Sequence, residues 1–369
     1  MKRQIFIILT PGFAKDETDT TCIPSLQSFV KNLVHEYPQL RIIVIATDYP
    51  FKRAIYQWND VEIIPLSHQN SKGVKRYWQL IVAYIQLRKF IKKKHPIGIL
   101  SLWGSYTSLL GHFLAKYNSI NHYCWLRGQD VRKGNRVMQL FKHHTKSLIT
   151  LSEQMNNELE KNYGFRATRV IPMAVDISEF GDFSIVERDI DIIGVGSLIP
   201  LKQWEVFVDV ISKLVVILPE LKCVLCGDGI DRCKLKQLIV EKGLIKNIDL
   251  CGQLPHNEVL DMMGRSRILL HPSSYEGYAA VFTEALYAGC HCISFVDPEQ
   301  NPVEHWHIAK DKEHMISLVK EVLQLPIESF SSIRQYEMKQ CVNDIMQLYN
   351  VRKTASISFA IAENESLEA

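Results

Sequence analysis

The sequence has no apolar run long enough to cross a membrane, and it has almost no net charge. The best candidate for a spanning segment, LIVAYIQL (80–87), stops at Arg88, whereas a spanning helix needs about 20 apolar residues. The 369 residues carry 43 Lys and Arg against 40 Asp and Glu, and a net charge of +3 gives no indication of a nucleic-acid binder. With 47% hydrophobic residues, the composition excludes disorder and predicts a globular protein of two domains.

The sequence predicts neither a paired set of metal ligands nor a secretory leader. Nine cysteines are an odd number, and Cys223 and Cys226 form a C-x-x-C pair inside an apolar run, with no second Cys or His pair at ligand spacing. Zinc is therefore disfavoured, and reduced thiols are expected. Lys2 and Arg3 are followed by only five apolar residues, too few for a signal peptide. We expect a cytoplasmic protein, and peripheral attachment to the inner face of the membrane is left open.

The charges are divided unevenly along the chain. Residues 1–180 contain 25 basic and 13 acidic side chains, a net of +12, whereas residues 181–369 contain 18 and 27, a net of −9. This division favours two domains with separate surface tasks. The basic first half suits an anionic acceptor or a membrane surface.

Short apolar, β-branched runs alternate with amphipathic segments of helical period. One series runs from QIFIILT (4–10) to TRVIPM (168–173), and a second from DIDIIGVGS (189–197) to HCISF (291–295). Continuously apolar strands of this kind belong to parallel sheets covered on both faces. We therefore predict an α/β protein of two Rossmann-like, doubly wound domains that face a central cleft, where such folds bind ligands. The predicted units are an acceptor-binding domain at 1–176, a donor domain at 177–330, a helix at 331–350 for which a return to the first domain is left open, and a flexible tail at 351–369.

The most informative segment is LLHPSSYEGYAAVFTEALYAGCHCISF (269–295), which has the pattern of strand, loop, helix, glycine stop and strand. Glu276 and Glu284 are eight residues apart in it. A helix beginning near Tyr278 would present free backbone N–H groups up to about Val281, and such groups bind anions, here a diphosphate. Carboxylates facing the phosphates would repel them, so we interpret both glutamates as acceptors of hydrogen bonds from hydroxyls. A sugar nucleotide has hydroxyls on either side of its diphosphate.

This segment resembles the Glu-x7-Glu signature of the retaining glycosyltransferases of the GT-B fold, specifically family 4 (group 1). The resemblance covers most of the chain in order and is strongest in the second half. Its other elements are TPGF (10–13), LRGQD (126–130), IPMAVD (171–176), GVGSLIPLKQ (194–203), CGDG (226–229) and IDLCGQLPHNEVLDMM (248–263). It implies transfer of a sugar from a UDP-, GDP- or other nucleotide donor to a cell-surface glycan or lipid-linked acceptor, as in polysaccharide or lipopolysaccharide synthesis, without a cofactor or an obligatory metal.

The resemblance also implies roles for single residues. The catalytic group would be Glu276 at the donor sugar, Lys202 at the departing diphosphate, and Asp130. Arg127 and Asp130 would line the acceptor side. The donor-binding set also contains Gly12, Ser197, Gly227, Leu254, Gly277, Tyr278, Ala279, Ala280 and Glu284, with Glu284 at the ribose hydroxyls.

Several positions depart from the pattern of the family. Ser197 stands where a phosphate-binding arginine is usual, Arg127 where a histidine is common, and Gln203 where a glycine follows the lysine. The first change puts neutralisation of the diphosphate in question, unless Arg127 or another first-domain cation supplies the charge. A catalytically inactive GT-B relative that only binds a sugar nucleotide is therefore the alternative.

Each assigned role has a structural alternative. Glu276 and Glu284 could be solvated carboxylates near a helix start, worth only a few tenths of a kcal/mol. Lys202 could be a solvated lysine. Asp130 could be a structural cap, and Arg127 its local partner.

Two weaker motifs point to other chemistries. DID (189–191) matches the DxD motif that binds a metal in the other large glycosyltransferase fold, but it enters a strand instead of leaving one. GVG (194–196) matches the start of a dinucleotide fingerprint, but the third glycine is missing and no helix opens there. A metal site and a dehydrogenase are both disfavoured.

The segment GVKRYWQLIVAYIQLRKFIKKKH (73–95) combines aromatic and aliphatic residues with a lysine-rich end. This composition suits a helix that lies on an anionic membrane near a lipid-linked acceptor. The alternative is a helix packed in the core with a solvated basic end. The charge of +12 in the first half favours the membrane.

Overall fold

A sheet of apolar strands forms the centre of the first domain. The computed structural model describes residues 3–52, 54–142, 144–181, 187–277, 280–297, 299 and 302–353. The strands of the first sheet are β1 Gln4–Gly12, β2 Leu40–Tyr49, β3 Tyr56–Trp58, β4 Val61–Pro65, β5 Gly98–Leu102, β6 Asn121–Trp125, β7 Leu148–Thr150 and β8 Arg169–Val170. Their order is β3-β4-β2-β1-β5-β6-β7-β8, and all pairs except β3–β4 are parallel. Residues 5–10 of β1 are all buried, as expected for a strand covered on both faces.

A second parallel sheet forms the centre of the second domain. Its strands are β9 Ile190–Val195, β10 Cys223–Cys226, β11 Ile248–Gly252, β12 Ser266–His271, β13 His291–Ser294 and β14 Trp306–Ile308. Their order is β11-β10-β9-β12-β13-β14. The winding direction reverses beside β1 in the first sheet and beside β9 in the second, and ligand crevices form at the carboxyl ends of strands at such points. The prediction of two Rossmann-like, doubly wound α/β domains is confirmed.

Helices cover both sheets and follow the predicted amphipathic segments. Several begin at a side-chain cap: the Ser152 hydroxyl accepts a hydrogen bond from the Met155 amide, and the Asp311 carboxylate accepts one from the His314 amide. The helices are α1 Pro24–Glu36, α2 Gly73–Lys94, α3 Tyr106–Lys116, α4 Arg136–Leu140, α5 Glu153–Tyr163, α6 Trp204–Leu214, α7 Arg232–Glu241, α8 His256–Gly264, α9 Ala280–Tyr287, α10 Lys312–Leu323 and α11 Met338–Gln347.

After the second sheet the chain returns to the first domain. Helix α11 packs on α1, and the Tyr349 ring lies edge-on to Phe6 at 4.8 Å between ring centroids. The Tyr349 hydroxyl donates a 2.7 Å hydrogen bond to the Ile99 carbonyl. The predicted tail begins just beyond this anchor, and its residues 354–369 lie outside the described part of the chain.

Helix α2 is attached to the first domain by a narrow stripe and exposes much of its apolar surface. Only Ala83, Leu87 and Ile91 are buried along its length. Trp78 is 66% exposed, and the same face exposes further apolar side chains, namely Val74, Tyr77, Ile81, Val82 and Ile85. A helix packed fully in the core is therefore not observed. Among the described helices, none combines the length and hydropathy required to traverse a bilayer.

Candidate active site in the interdomain cleft

A cavity of about 440 Å³ lies between the two domains at the carboxyl ends of their strands. A volume of this size is typical of sites for small molecules and cofactors. The first domain contributes Thr20, Thr21, Pro24 and Ser25, at the start of α1. The second domain contributes Val195, Gly196, Ser197, Cys226, Gly227, Asp228, Gln253, Leu254, His256, Val259, Ala280 and Glu284.

Five of the predicted donor residues line this cavity: Ser197, Gly227, Leu254, Ala280 and Glu284. Gly227 has a backbone φ of +147°, and a Cβ atom there would lie 1.9 Å from the carbonyl oxygen of Gly196. Only glycine allows the turns after β9 and β10 to approach this closely. The loops that form the floor of the cavity therefore depend on this residue.

A partly buried carboxylate, that of Glu276, lies beside the cavity, because its partners Lys202 and His271 come within 4 Å of where a Cβ atom of the lining residue Gly196 would lie. The Lys202 ammonium, at the end of a 3-10 turn (Pro200–Lys202), forms a salt bridge to the Glu276 carboxylate. The His271 Nε2 atom lies 2.9 Å from the same Glu276 oxygen. Burial would raise the pKa of Glu276, but the hydrogen bond from His271 and the charge of Lys202 lower it to about 2. Glu276 is therefore ionised at neutral pH and can accept hydrogen bonds, but it cannot act as an acid.

No sequence motif pointed to His271, although it is the last residue of β12 and so lies at the edge where ligands bind. The side chain is fully buried, and burial lowers its pKa. A neutral ring must place its proton on Nε2 to bond a carboxylate, which leaves Nδ1 as an acceptor. Within the described residues Nδ1 has no hydrogen-bond partner. The buried His271 ring therefore fixes the position of the Glu276 carboxylate.

Glu284 on α9 faces the cavity and is held by an imidazole. The Nε2 atom of His256, the first residue of α8, lies 3.0 Å from a Glu284 carboxylate oxygen. The other ring nitrogen faces Glu179 at 3.6 Å. Neither His256 nor Glu179 was singled out from the sequence, because nothing in their spacing connects them to Glu284.

On the first-domain side, Arg127 and Asp130 occur together but do not form a direct ion pair in the described contacts. The Asp130 carboxylate accepts hydrogen bonds from the Gly104 and Arg127 backbone amides, at 3.0 and 2.7 Å. The Arg127 guanidinium lies over the Trp125 ring and donates to the Ser25 hydroxyl, which lines the cavity, at 3.1 Å. Burial lowers the pKa of Arg127 to about 10, so the side chain stays charged at neutral pH. The structure thus places Asp130 as a cap for the loop that presents Arg127.

The two domains meet closely at a pair of glycines, one from each half of the predicted site. A Cβ atom at Gly277 would lie 2.3 Å from the Gly128 Cα atom, so the two backbones are in direct contact. Beside them the Tyr275 hydroxyl donates to the Gly128 carbonyl at 2.9 Å, and the Ser152 hydroxyl donates to the Gly277 carbonyl at 3.1 Å. The loop before α9 is therefore joined to the loop that carries Arg127.

Gly12 is not brought to the cavity. It ends β1, where a Cβ atom would have ordinary contacts with Cys22 and Tyr49 at 3.6 Å, and its close approach to a donor or an acceptor stays a prediction. Tyr278 and Ala279 lie outside the described residues, and α9 begins at Ala280.

The aspartates of the DxD-like motif are engaged elsewhere. Asp189 lies at the amino-terminal end of β9 and forms a salt bridge with Arg265 at 2.5 Å. Asp191 accepts a hydrogen bond from the Lys222 amide at 2.9 Å. In the part of the chain that the structure describes, no cluster of three or more His, Cys, Asp or Glu side chains is arranged to hold a metal ion.

Comparison with known proteins relates both the sequence and the fold to glycosyltransferases. Residues 177–305 match the family described as glycosyl transferases group 1. The gpi3 subunit of phosphatidylinositol N-acetylglucosaminyltransferase from Schizosaccharomyces pombe is 31% identical over 164 residues, 43% of this chain and 36% of that protein. Across the curated relatives that it matches, the chain spans between 22% and 51% of their length.

Among solved structures, a glycosyltransferase from Rickettsia africae superposes with a TM-score of 0.71 at 14% identity, covering 94% of this chain and 98% of that one. Anabaena HepE in complex with UDP and glucose superposes with a TM-score of 0.67 at 11% identity, covering 94% of this chain and all of that one. At these identities the likeness concerns the fold. Residues 177–305 are therefore similar to the group 1 glycosyl transferases, and the chain as a whole has the GT-B fold.

Proposed function

We propose that the chain is a retaining, metal-independent glycosyltransferase of the family 4 type, which transfers a sugar from a nucleoside-diphosphate donor to a glycan or lipid-linked acceptor. The observation that carries the proposal is the interdomain cavity. The start of α9 and the Glu284 carboxylate line this cavity, and the Lys202–Glu276 pair lies beside it. Its lining combines a helix start for an anion with carboxylates for hydroxyls.

Three groups divide the work in this proposal. Lys202 and the amino-terminal end of α9 at Ala280 stabilise the charge that develops on the departing diphosphate, since fixed cations and helix dipoles can replace a metal. Glu276, ionised and held by Lys202 and His271, accepts hydrogen bonds from hydroxyls of the donor sugar. Glu284 accepts hydrogen bonds from the hydroxyls of the ribose.

Arg127 compensates for the serine at position 197. It remains charged, and its contact with Ser25 brings it to the first-domain wall of the cavity. In the proposed reaction it adds the second positive charge on the diphosphate, while Asp130 keeps its loop in place and borders the acceptor side. A cation from the first domain also makes catalysis depend on the approach of the two domains.

The test is transfer or hydrolysis across a panel of UDP-, GDP- and ADP-sugars, comparing the wild type with Lys202→Ala and Glu284→Ala. We expect each substitution to lower kcat/KM by about 100-fold or more, the scale for removal of a group that stabilises developing charge. Glu205→Ala, which removes an exposed carboxylate on α6, is the matched control and should behave as wild type. Undiminished turnover in both site variants would contradict the assignment.

The alternative is a GT-B relative that binds a sugar nucleotide without transferring the sugar. Ser197 supports it, because the cavity lacks a cation at that position, and Lys202 is paired with Glu276. Tight donor binding without turnover on any acceptor would favour this alternative.

For the acceptor, we propose a lipid-linked molecule at an anionic membrane surface, reached by a chain that is cytoplasmic and peripheral. The support is the exposed apolar face of α2, which continues into the basic residues Lys92, Lys93 and Lys94 at its carboxyl end. The Schizosaccharomyces pombe relative is named for transfer to phosphatidylinositol, which is itself a lipid.

Vesicle co-sedimentation tests this attachment. Wild type should pellet with vesicles that contain phosphatidylserine and remain free with neutral phosphatidylcholine vesicles. Trp78→Ser combined with Ile81→Ser should abolish the binding, whereas Val216→Ser on the second domain, at a residue that is 79% exposed, should not change it. Equal binding of all three proteins would refute the role of α2.

A further inference from the structure

The imidazole of His256 is placed between two carboxylates that belong to different parts of the cleft. Its Nε2 atom lies 3.0 Å from Glu284 on α9, and its Nδ1 atom lies 3.6 Å from Glu179, which follows the first domain. A neutral imidazole has one N–H group and can donate to only one of them. The doubly protonated ring can serve both carboxylates at once.

Glu179 continues this path into the first domain. Its carboxylate accepts a 2.6 Å hydrogen bond from the Ser28 hydroxyl and lies 3.2 Å from the Lys31 ammonium, both on α1. The His256 backbone amide also donates to the Thr20 hydroxyl at 3.2 Å, in the loop that lines the first-domain wall. A continuous set of polar contacts thus joins α1 to Glu284.

The charged groups around His256 favour the imidazolium. The net effect of the surroundings is to raise the pKa of the His256 ring. Burial by itself would lower this pKa, and the charge of Lys31 lowers it slightly. The hydrogen bond and charge of Glu284, together with the charge of Glu179, outweigh both effects. Because the pKa is raised, the imidazolium contacts are complete at low pH and are lost as the pH rises through that value.

We propose that His256 is a positioning residue for the donor: as an imidazolium it orients the Glu284 carboxylate toward the ribose and ties it, through Glu179, to α1 of the first domain. The inference rests on the proposed function, because Glu284 faces a ribose only if a nucleotide occupies the cavity. Its consequence is that the affinity for a nucleotide falls as the pH rises, while contacts to the phosphates alone are unaffected.

Isothermal titration calorimetry with UDP, GDP and ADP, compared with inorganic pyrophosphate, separates the contribution of the ribose contact from that of the phosphate contacts. For wild type we expect the Kd of the best nucleoside diphosphate to rise about tenfold or more between about pH 6 and about pH 9, the scale of a hydrogen bond to a charged group. The Kd of pyrophosphate, which has no ribose, should lack this additional rise.

Two variants identify His256 as the source. His256→Gln keeps an amide donor but cannot ionise, so its nucleotide Kd should be higher at low pH and should follow the pyrophosphate profile. Glu179→Gln removes one of the two carboxylates and should move the midpoint of the profile to lower pH, a change that a merely structural role of His256 would not produce. His35→Gln, on the exposed face of α1, should reproduce the wild-type profile.

The outcomes separate the inference from the function it rests on. A wild type that binds none of the three nucleotides at any pH would overturn the proposed function and this inference together. Nucleotide binding with the same pH profile in wild type and His256→Gln, or an unmoved midpoint in Glu179→Gln, would overturn only the role of His256. If His256→Gln fails to fold by circular dichroism, Glu179→Gln alone decides.

Discussion

Replacing Gly277 with alanine tests whether the contact between the two domains is needed for sugar transfer. A Cβ atom at this position would lie 2.3 Å from the Gly128 Cα atom and 3.1 Å from the Gly128 nitrogen. Both contacting groups are backbone, so no side-chain rotation can relieve the overlap. Ordinary contacts of a Cβ atom begin at 3.4 Å, and the two loops must therefore separate by about 1 Å.

The expected losses of stability and of kcat/KM depend on which part of the protein moves to relieve the overlap. Overpacking inside a rigid core costs about 1–3 kcal/mol. A small shift of one domain against the other avoids most of that cost, but it moves the Arg127 loop away from the loop that carries Glu276. A misplacement of about 1 Å in a site can lower the rate about 100-fold. We expect kcat/KM of Gly277→Ala to fall about 100-fold, with the Tm lowered by less than about 4 °C.

Gly164→Ala is the control for substitution of a glycine. Gly164 ends α5 with a φ of +75°, and a Cβ atom there would meet nothing within 4 Å. Alanine should strain only its own backbone, lowering the free energy of unfolding by about 1 kcal/mol and leaving kcat/KM unchanged. Donor turnover and thermal unfolding are measured on both variants. Retention of wild-type kcat/KM within about threefold in Gly277→Ala would refute the reasoning.

Three further predictions concern stability and metal dependence. The pKa of Glu276 is lowered from 4.5 to about 2, so ionised Glu276 contributes up to about 3 kcal/mol of stability above pH about 4.5, and this contribution is lost as the pH falls toward 2. Because Lys202 helps to lower that pKa, Lys202→Met should raise the pH of acid unfolding seen by circular dichroism. An unchanged midpoint would contradict this. Tyr349→Ala, which removes the buried ring that anchors the carboxyl-terminal segment, should lower the free energy of unfolding in urea by about 3–5 kcal/mol; a loss below about 1 kcal/mol would show that the anchor is dispensable. EDTA should leave sugar transfer intact, whereas complete loss restored by Mn²⁺ would return Asp189 and Asp191 to consideration.

The fold was predictable because its signals are local. An apolar run such as QIFIILT specifies a strand buried on both faces, and the alternation with amphipathic segments specifies parallel sheets. The glutamates of the second domain could be found for the same reason, since one strand, one loop and one helix carry both. Five of the donor residues named from the resemblance line one cavity.

The remaining site residues could not be found in this way. Gly12 matches a glycine loop in sequence, but a Cβ atom there would meet Cys22 and Tyr49, and Gly12 is not among the residues that line the cavity. The predicted part of Asp130 in the reaction stays a prediction, and only the structure shows that its carboxylate accepts hydrogen bonds from two backbone amides. Whether a side chain faces a ligand or its own loop depends on the path of the backbone, which residue type alone does not specify.

The sequence by itself determined the two parallel-sheet domains and the elements that carry Lys202, Glu276 and Glu284, because periodicity and turn residues act over a few positions. Only the tertiary structure decided which groups these side chains contact. The Ser28–Glu179 hydrogen bond joins residues 151 positions apart, and His256 meets Glu284 only after two helices pack side by side. Ion pairs and hydrogen bonds require contact within about 3–4 Å, and contacts between distant segments exist only once the two domains have folded against each other.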